Sequence, residues 1–251
     1  MSLFAVNFIM AQGSNRIPPR KIYFMVNRKM CWNWQVSIGS FILISAVSYT
    51  LYIRNLPNDR LTAIFIMSYG LMQLFEALQW WGQNPGFENL NITGSFLGAI
   101  LLYFHPLAIM IGLSQDKLYK ISVNSPIFLL SIFASIGVLL YGIYRVVSAY
   151  KEKSYTFLSK PDRVSGHMVW ESPDDYRSIM ILISIIVSLY VLPVSPIIFF
   201  TWLLYFFLPI ILINKFMKVS SENNLKNYTG SYWCWYVATF SFLFYFINKH
   251  L

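Results

Sequence analysis

Long apolar runs separated by short polar stretches dominate the chain from residue 34 onward, and seven stand out: Trp34–Ile53, Leu61–Trp81, Ile92–Leu113, Pro126–Tyr144, Ile179–Leu192, Ile197–Ile213 and Trp233–Ile247. A helix needs about 20 apolar residues to cross a hydrocarbon layer ~30 Å thick. The pattern predicts an all-α, polytopic transmembrane helix bundle. Within the runs apolar residues are continuous and do not alternate with polar ones, which argues against strands, and an open sheet in lipid would leave its edge hydrogen bonds unmade. The fifth and sixth runs are nearly joined, but Pro193 and Pro196 interrupt them. Proline breaks a helix, so a tight helical hairpin is expected there and seven spans in total. Six spans result if that hairpin is one segment.

Composition agrees with this pattern. Hydrophobic residues make up 57% of the 251 residues and charged residues 12%, about half the charged share of a soluble domain. The net charge of +9 does not point to nucleic acid, because all 19 Lys and Arg fall outside the predicted spans. The expected partner is the lipid bilayer. Cys31 and Cys234 are too few for a disulfide-built fold and are expected to be free thiols.

Charge placement instead predicts orientation. The N-terminal tail, the second, fourth and sixth loops together carry fourteen Lys and Arg, and the opposite side carries five. The positive-inside rule puts the N-terminus in the cytosol and the C-terminus outside. Two glycosylation sequons, Asn91-Ile-Thr93 and Asn227-Tyr-Thr229, then fall in cytosolic loops and should stay unmodified. No cleavable signal is expected, since the apolar stretch Leu3–Ala11 is short and its positive charges follow it. Residues 1–29 are expected to form a basic tail, dispensable for folding, ahead of one bundle domain over 30–251.

One helix differs from the rest. Glu76 is the only acidic residue in any predicted span. At 100° per residue, Tyr69, Gln73, Glu76, Gln79, Trp80 and Gln83 share about a third of the second helix's circumference. A charge costs at least ~2.5 kcal/mol near the bilayer centre, so this stripe should face the bundle interior or water. Glu76 is then either a protonated, hydrogen-bonded packing group or part of a ligand or ion pocket formed with Gln73, Gln79, Trp80 and Gln83.

His105 and His167 are secondary candidates. His105 precedes Pro106, which frees the carbonyl of Leu102, and the imidazole is expected to fill that gap. Its level in the bundle should differ from that of Glu76 by roughly 10 Å, which disfavours a direct pair. His167, in the fourth loop, reads as part of a segment packing Trp170 at the membrane surface. No local metal-ligand pair, nucleotide loop, dinucleotide fingerprint or nucleophile elbow is present, so neither metal nor cofactor is expected. The seventh run also lacks a lysine for a retinal Schiff base. Gly94 and Gly98 form a small-xxx-small face suited to close helix packing.

Three short motifs, Met30-Cys31-Trp32-Asn33-Trp34, Gln73-Leu-Phe-Glu76-Ala-Leu-Gln79-Trp80 and Gly230-Ser-Tyr-Trp-Cys234-Trp235, resemble an uncharacterised family of small polytopic membrane proteins found in giant DNA viruses and some cellular organisms. The resemblance covers residues 30–247 loosely. It implies a seven-helix fold, a start at Met30 in many members, and no known activity. Richness in Ile, Asn, Lys, Tyr and Phe suits an A+T-rich viral genome. Three functional classes remain: binding or translocation of a small ligand, ion or proton through a pocket at Glu76, a structural role in a viral or host membrane, and an intramembrane lipid-modifying enzyme.

Overall fold

The computed structural model describes residues 33–119, 124–161, 168–169, 177–202, 204, 241–243 and 245–246. All described elements belong to one compact unit, Cys31–Leu251. They are helical throughout except for a two-residue antiparallel pair, β1 (Lys160–Pro161) with β2 (Met168–Val169). Five helices are bounded: α1 (Trp34–Arg54), α2 (Asp59–Trp81), α3 (Glu88–Gln115), α4 (Pro126–Lys151) and α5 (Arg177–Tyr190). The first four are long and apolar enough to cross a membrane.

Local chemistry sets the ends of these helices. Asn33 caps α1 by accepting from the Val36 amide at 3.0 Å. The α1–α2 turn is flanked by Asn55 and Asn58 in the left-handed region, at φ 55° and 66°, a conformation asparagine tolerates better than most residues. Gly82 ends α2, and Pro126 opens α4 behind Ser125, where its missing N–H costs nothing. The Pro193/Pro196 interruption is present: α5 stops at Tyr190, a turn covers 191–194, and helix resumes at 196. At fourteen residues α5 is only about 21 Å long, short of a full crossing.

Two boundaries move in ways that matter. Helix α3 begins at Glu88, four residues before the predicted start, so Asn91 is helical and buried and does not lie in a loop. Helix α4 runs on to Lys151, placing Arg145 inside a helix that was expected to end before it.

Helix α2 packs between α1 and α3, and α3 also touches α4 and α5. Glycines permit the closest contacts. A Cβ at Gly94 would lie 2.5 Å from the Phe75 carbonyl oxygen, and one at Gly112 would lie 3.0 Å from Leu61 Cα. At one position of the predicted small-residue face, Gly94, α2 and α3 therefore pack backbone to backbone. A continuous core runs through Ile44, Leu51, Phe65, Ile109, Phe128 and Trp202. On the outside, α4 exposes Leu130, Phe133, Leu140 and Tyr144, all more than 60% accessible.

Candidate functional site

The polar stripe of α2 turns inward. Tyr69, Gln73, Glu76 and Gln79 are each no more than 3% exposed, whereas Ile64, Met67, Leu71 and Leu78 of the same helix are partly accessible. Helix α3 supplies the facing wall at both ends of the stripe. Gly94 lies against the Gln79 backbone and Cγ, and the His105 ring packs on Tyr69 with centroids 3.9 Å apart.

Hydrogen bonding within the stripe is incomplete. Neither Nε2 nor Oε1 of Gln73 has a protein partner, and the same holds for both amide atoms of Gln79 and for Trp80 Nε1. Glu76 sits between these two amides along the helix and is itself partnered. An unpaired buried polar group costs about 1–3 kcal/mol, so two whole amides and an indole N–H within about two turns of one helix make an unusual concentration.

His105 does what the neighbouring proline requires. Its Nδ1 lies 3.2 Å from the Leu102 carbonyl oxygen and, as the N–H, donates to the acceptor that Pro106 leaves free. The ring also lies close to the Ser68 backbone of α2, and its Nε2 is buried. Because His105 stacks on Tyr69, it sits seven residues of α2 from Glu76, about 10 Å along the axis. The separation of the two groups matches the sequence expectation.

At the far end of the stripe Gln83 departs from the rest. It is exposed, and its Nε2 donates to the Ser159 carbonyl at 2.8 Å and to the Gln79 carbonyl at 3.1 Å. Gln83 therefore anchors the segment after α4 and does not line a cavity wall. Asn91 completes the anchor. Its Nδ2 donates to Ser159 O at 2.8 Å while its Oδ1 accepts from Ser159 N at 3.0 Å, as a strand partner would. Ser95 and Ser159 share a hydroxyl contact at 2.8 Å, and Phe157, buried at φ 52°, packs near Phe96 and Tyr150. The sequon at Asn91 therefore does not lie in a loop, as expected from the sequence, but buried and doubly bonded within α3. Asn227, His167, Trp170, Cys31 and Cys234 lie outside the described residues.

The opposite end of the bundle holds a polar cluster that the sequence reading missed. Asp59 is fully buried and accepts from Arg54 Nε at 2.8 Å, Arg54 Nη2 at 2.7 Å and the Leu56 amide at 2.8 Å. Arg54 Nη1 donates to the Tyr245 carbonyl at 3.0 Å and its guanidinium lies over the Tyr245 ring. The Asp116 carboxylate accepts from the amides of Asn58, Leu61 and Leu118, and Tyr119 donates to Asn58 Oδ1. Burial, with the Asp116 charge as a lesser cause, raises the Tyr119 phenol above its ordinary range. The signal was available: Arg54 and Asp59 flank the short turn Asn55–Asn58, a spacing that lets a helix end reach back to the next helix start.

Among the described residues no three His, Cys, Asp or Glu side chains converge as a metal site would require. In comparisons with known proteins, no family model, curated protein or solved structure matches the chain.

Proposed function

We propose that this chain is a multi-pass integral membrane protein of seven spans, N-terminus in the cytosol, whose α2 stripe lines a polar site for a small ligand, ion or proton centred on Glu76. The membrane part of this reading is supported by an inside-out polarity. Gln73, Glu76 and Gln79 are buried on the inward side of α2 among core residues, while the outward face of α4 is apolar, a distribution opposite to that of a water-soluble surface helix. The three short motifs support a place in the small polytopic family they resemble, with its viral members.

The observation that carries the site is the pair of wholly buried amides, Gln73 and Gln79, unbonded to protein on the turns either side of Glu76. Amides offer donors and acceptors together, so water, a hydrated ion or a small polar ligand satisfies them equally, and a carboxyl between them supplies the exchangeable proton or the charge. A purely structural membrane role is the second reading. Under it, the glycine-mediated contacts of α2 with α3 serve packing alone.

Cysteine scanning in a background lacking Cys31 and Cys234 tests the site. Gln83 is exposed at the end of α2, so Gln83→Cys should react with a membrane-impermeant thiol reagent from the cytosolic side and report orientation. Gln79→Cys, fully buried, should react from the same side only if water enters the stripe. In liposomes with a trapped pH dye, Glu76→Gln should change proton flux while leaving folding nearly intact. Full protection of Gln79→Cys in folded protein, with flux indifferent to Glu76→Gln, would sink the site and leave the structural reading.

A further inference from the structure

Outside the stripe, the most informative feature is an apolar groove of about 390 Å³ between α1 and α2, lined by Ser45, Tyr49, Tyr52, Met67, Leu71 and Phe104 among others. Its serines do not make it polar. Ser48 Oγ donates to the Ala63 carbonyl at 2.6 Å, Ser68 Oγ to the Phe65 carbonyl at 2.7 Å, and Ser45 Oγ to Met67 Sδ at 3.7 Å. What remains on the lining is hydrocarbon and aromatic surface. Outward-facing Tyr49 is part of its lining, and its size falls in the range of ordinary ligand sites, about 300–1,000 Å³.

Its axis has two different ends. The α2 wall consists of Ala63, Ile64, Met67, Ser68 and Leu71, a single face of the helix, and the residue one turn before that face is Arg60. From Arg60 to Leu71 is about 16 Å along the axis, close to the depth of one leaflet of a ~30 Å hydrocarbon core. At the Arg60 end the guanidinium lies 5.1 Å from the ring centroid of Tyr52, itself part of the lining. Arg60 Nη1 reaches the Gln115 carbonyl only at 3.4 Å, and its Nε is buried without a partner.

Both neighbouring carboxylates are already committed: Asp59 to Arg54 and the Leu56 amide, Asp116 to three backbone amides. Among the described residues no acid pairs with Arg60. A cation with unused donors thus stands at the interfacial end of a leaflet-deep hydrocarbon groove, and this is the charge and shape pattern of a phospholipid.

We propose that the α1–α2 groove is a lipid site, in which an acyl chain of a bilayer phospholipid lies between the two helices and its phosphate pairs with the Arg60 guanidinium. Arginine suits this role because its planar fork matches phosphate oxygens. The site is separate from Glu76 and rests only on the membrane-spanning part of the reading above.

Full-length protein in phosphatidylcholine nanodiscs carrying traces of a phosphatidylglycerol with a diazirine in its acyl chain provides the test. Photolabelling mapped by mass spectrometry should fall on the Met67–Leu71 and Phe104 peptides severalfold more than on the outward face of α4 at Leu130, Phe133 and Leu140. Arg60→Gln should lower groove labelling about tenfold, the change expected for loss of one charge-assisted bond. Ser45→Phe, which fills the groove, should abolish labelling at Leu71 and Phe104 and leave the α4 label unchanged.

Equal labelling of groove and α4, indifferent to both substitutions, would overturn the proposal by showing only annular lipid. So would a cross-linked dimer through α1 that excludes the lipid. A chain released from membranes by alkaline carbonate would instead bring down the membrane-spanning reading itself, whereas failure of the groove in a carbonate-resistant protein leaves that reading standing.

Discussion

The two ends of α2 bury comparable amounts of polar chemistry in opposite states. Around Asp59 both buried carboxylates and the Arg54 guanidinium are matched: two guanidinium bonds and an amide to one carboxylate, three amides to the next, and a phenol to the Asn58 side chain. From Gln73 to Trp80, amides and an indole N–H are just as deep but lack protein partners. Polar groups in a low-dielectric interior are strongly stabilising when complete and costly when incomplete. The first cluster is therefore the expected product of selection for a stable bundle, tying the α1–α2 turn to the end of α3 and to Tyr245. The second carries a cost that the proposed site would offset by meeting something besides protein.

The largest effect separating the two regions should come from breaking the ion pair. Arg54→Met takes the guanidinium away from a fully buried carboxylate, and removing one partner of a buried pair typically costs about 3–5 kcal/mol. Urea unfolding in detergent should show a loss of that order, while Glu76→Gln should shift the midpoint little. Equal sensitivity at both positions would erase the contrast and make Glu76 another structural group.

A subtler substitution tests sign instead of size. Gln73→Leu and Gln79→Met remove unbonded amides and keep similar volume. If the stripe is dry, each variant should gain about 1–3 kcal/mol, because an unsatisfied buried group disappears. If the amides meet water or a ligand, the variants should gain nothing or lose stability. The proposed site requires the second result, and the same unfolding measurement distinguishes the two.

The sequence revealed the four long helices, the break at Pro193/Pro196, the inward direction of the α2 stripe and the pairing of His105 with the Leu102 carbonyl, because each follows from periodicity or from what proline removes within one element. Three features were missed. Asn91 looked like a loop sequon, since nothing local announces that Ser159, 68 residues away, completes its hydrogen bonds. Gln83 belongs to the stripe by angle, yet at the end of α2 it meets the chain after α4 and serves as an anchor. The Arg54–Asp59 pair fell between two predicted spans and was counted as loop charge, although the helices extend to include both residues. Periodicity within a helix gives the face a residue occupies, but partners from distant segments decide what that residue does.

The smallest expected effect belongs to the complete cluster and concerns Tyr119. Burial raises its phenol above the ordinary range, so the folded chain keeps the Tyr119 proton at pH values where the unfolded chain has released it. Between those two pKa values the native state binds more protons, and stability must fall as pH rises. The contribution is fully present below about pH 10, the ordinary phenol value, and declines above it as ionisation threatens the bond to Asn58 and sets a phenolate beside Asp116. Tyr119→Phe removes both the bond and the titration. The difference in unfolding free energy between wild type and Tyr119→Phe should therefore be flat from pH 7 to about 10 and shrink at higher pH. Taking the difference cancels the lysines and other tyrosines that titrate in the same range. A difference that stayed constant through pH 11 would mean that Tyr119 titrates alike in the folded and unfolded chains, and the bonding assigned to this end of the bundle would lose one of its members.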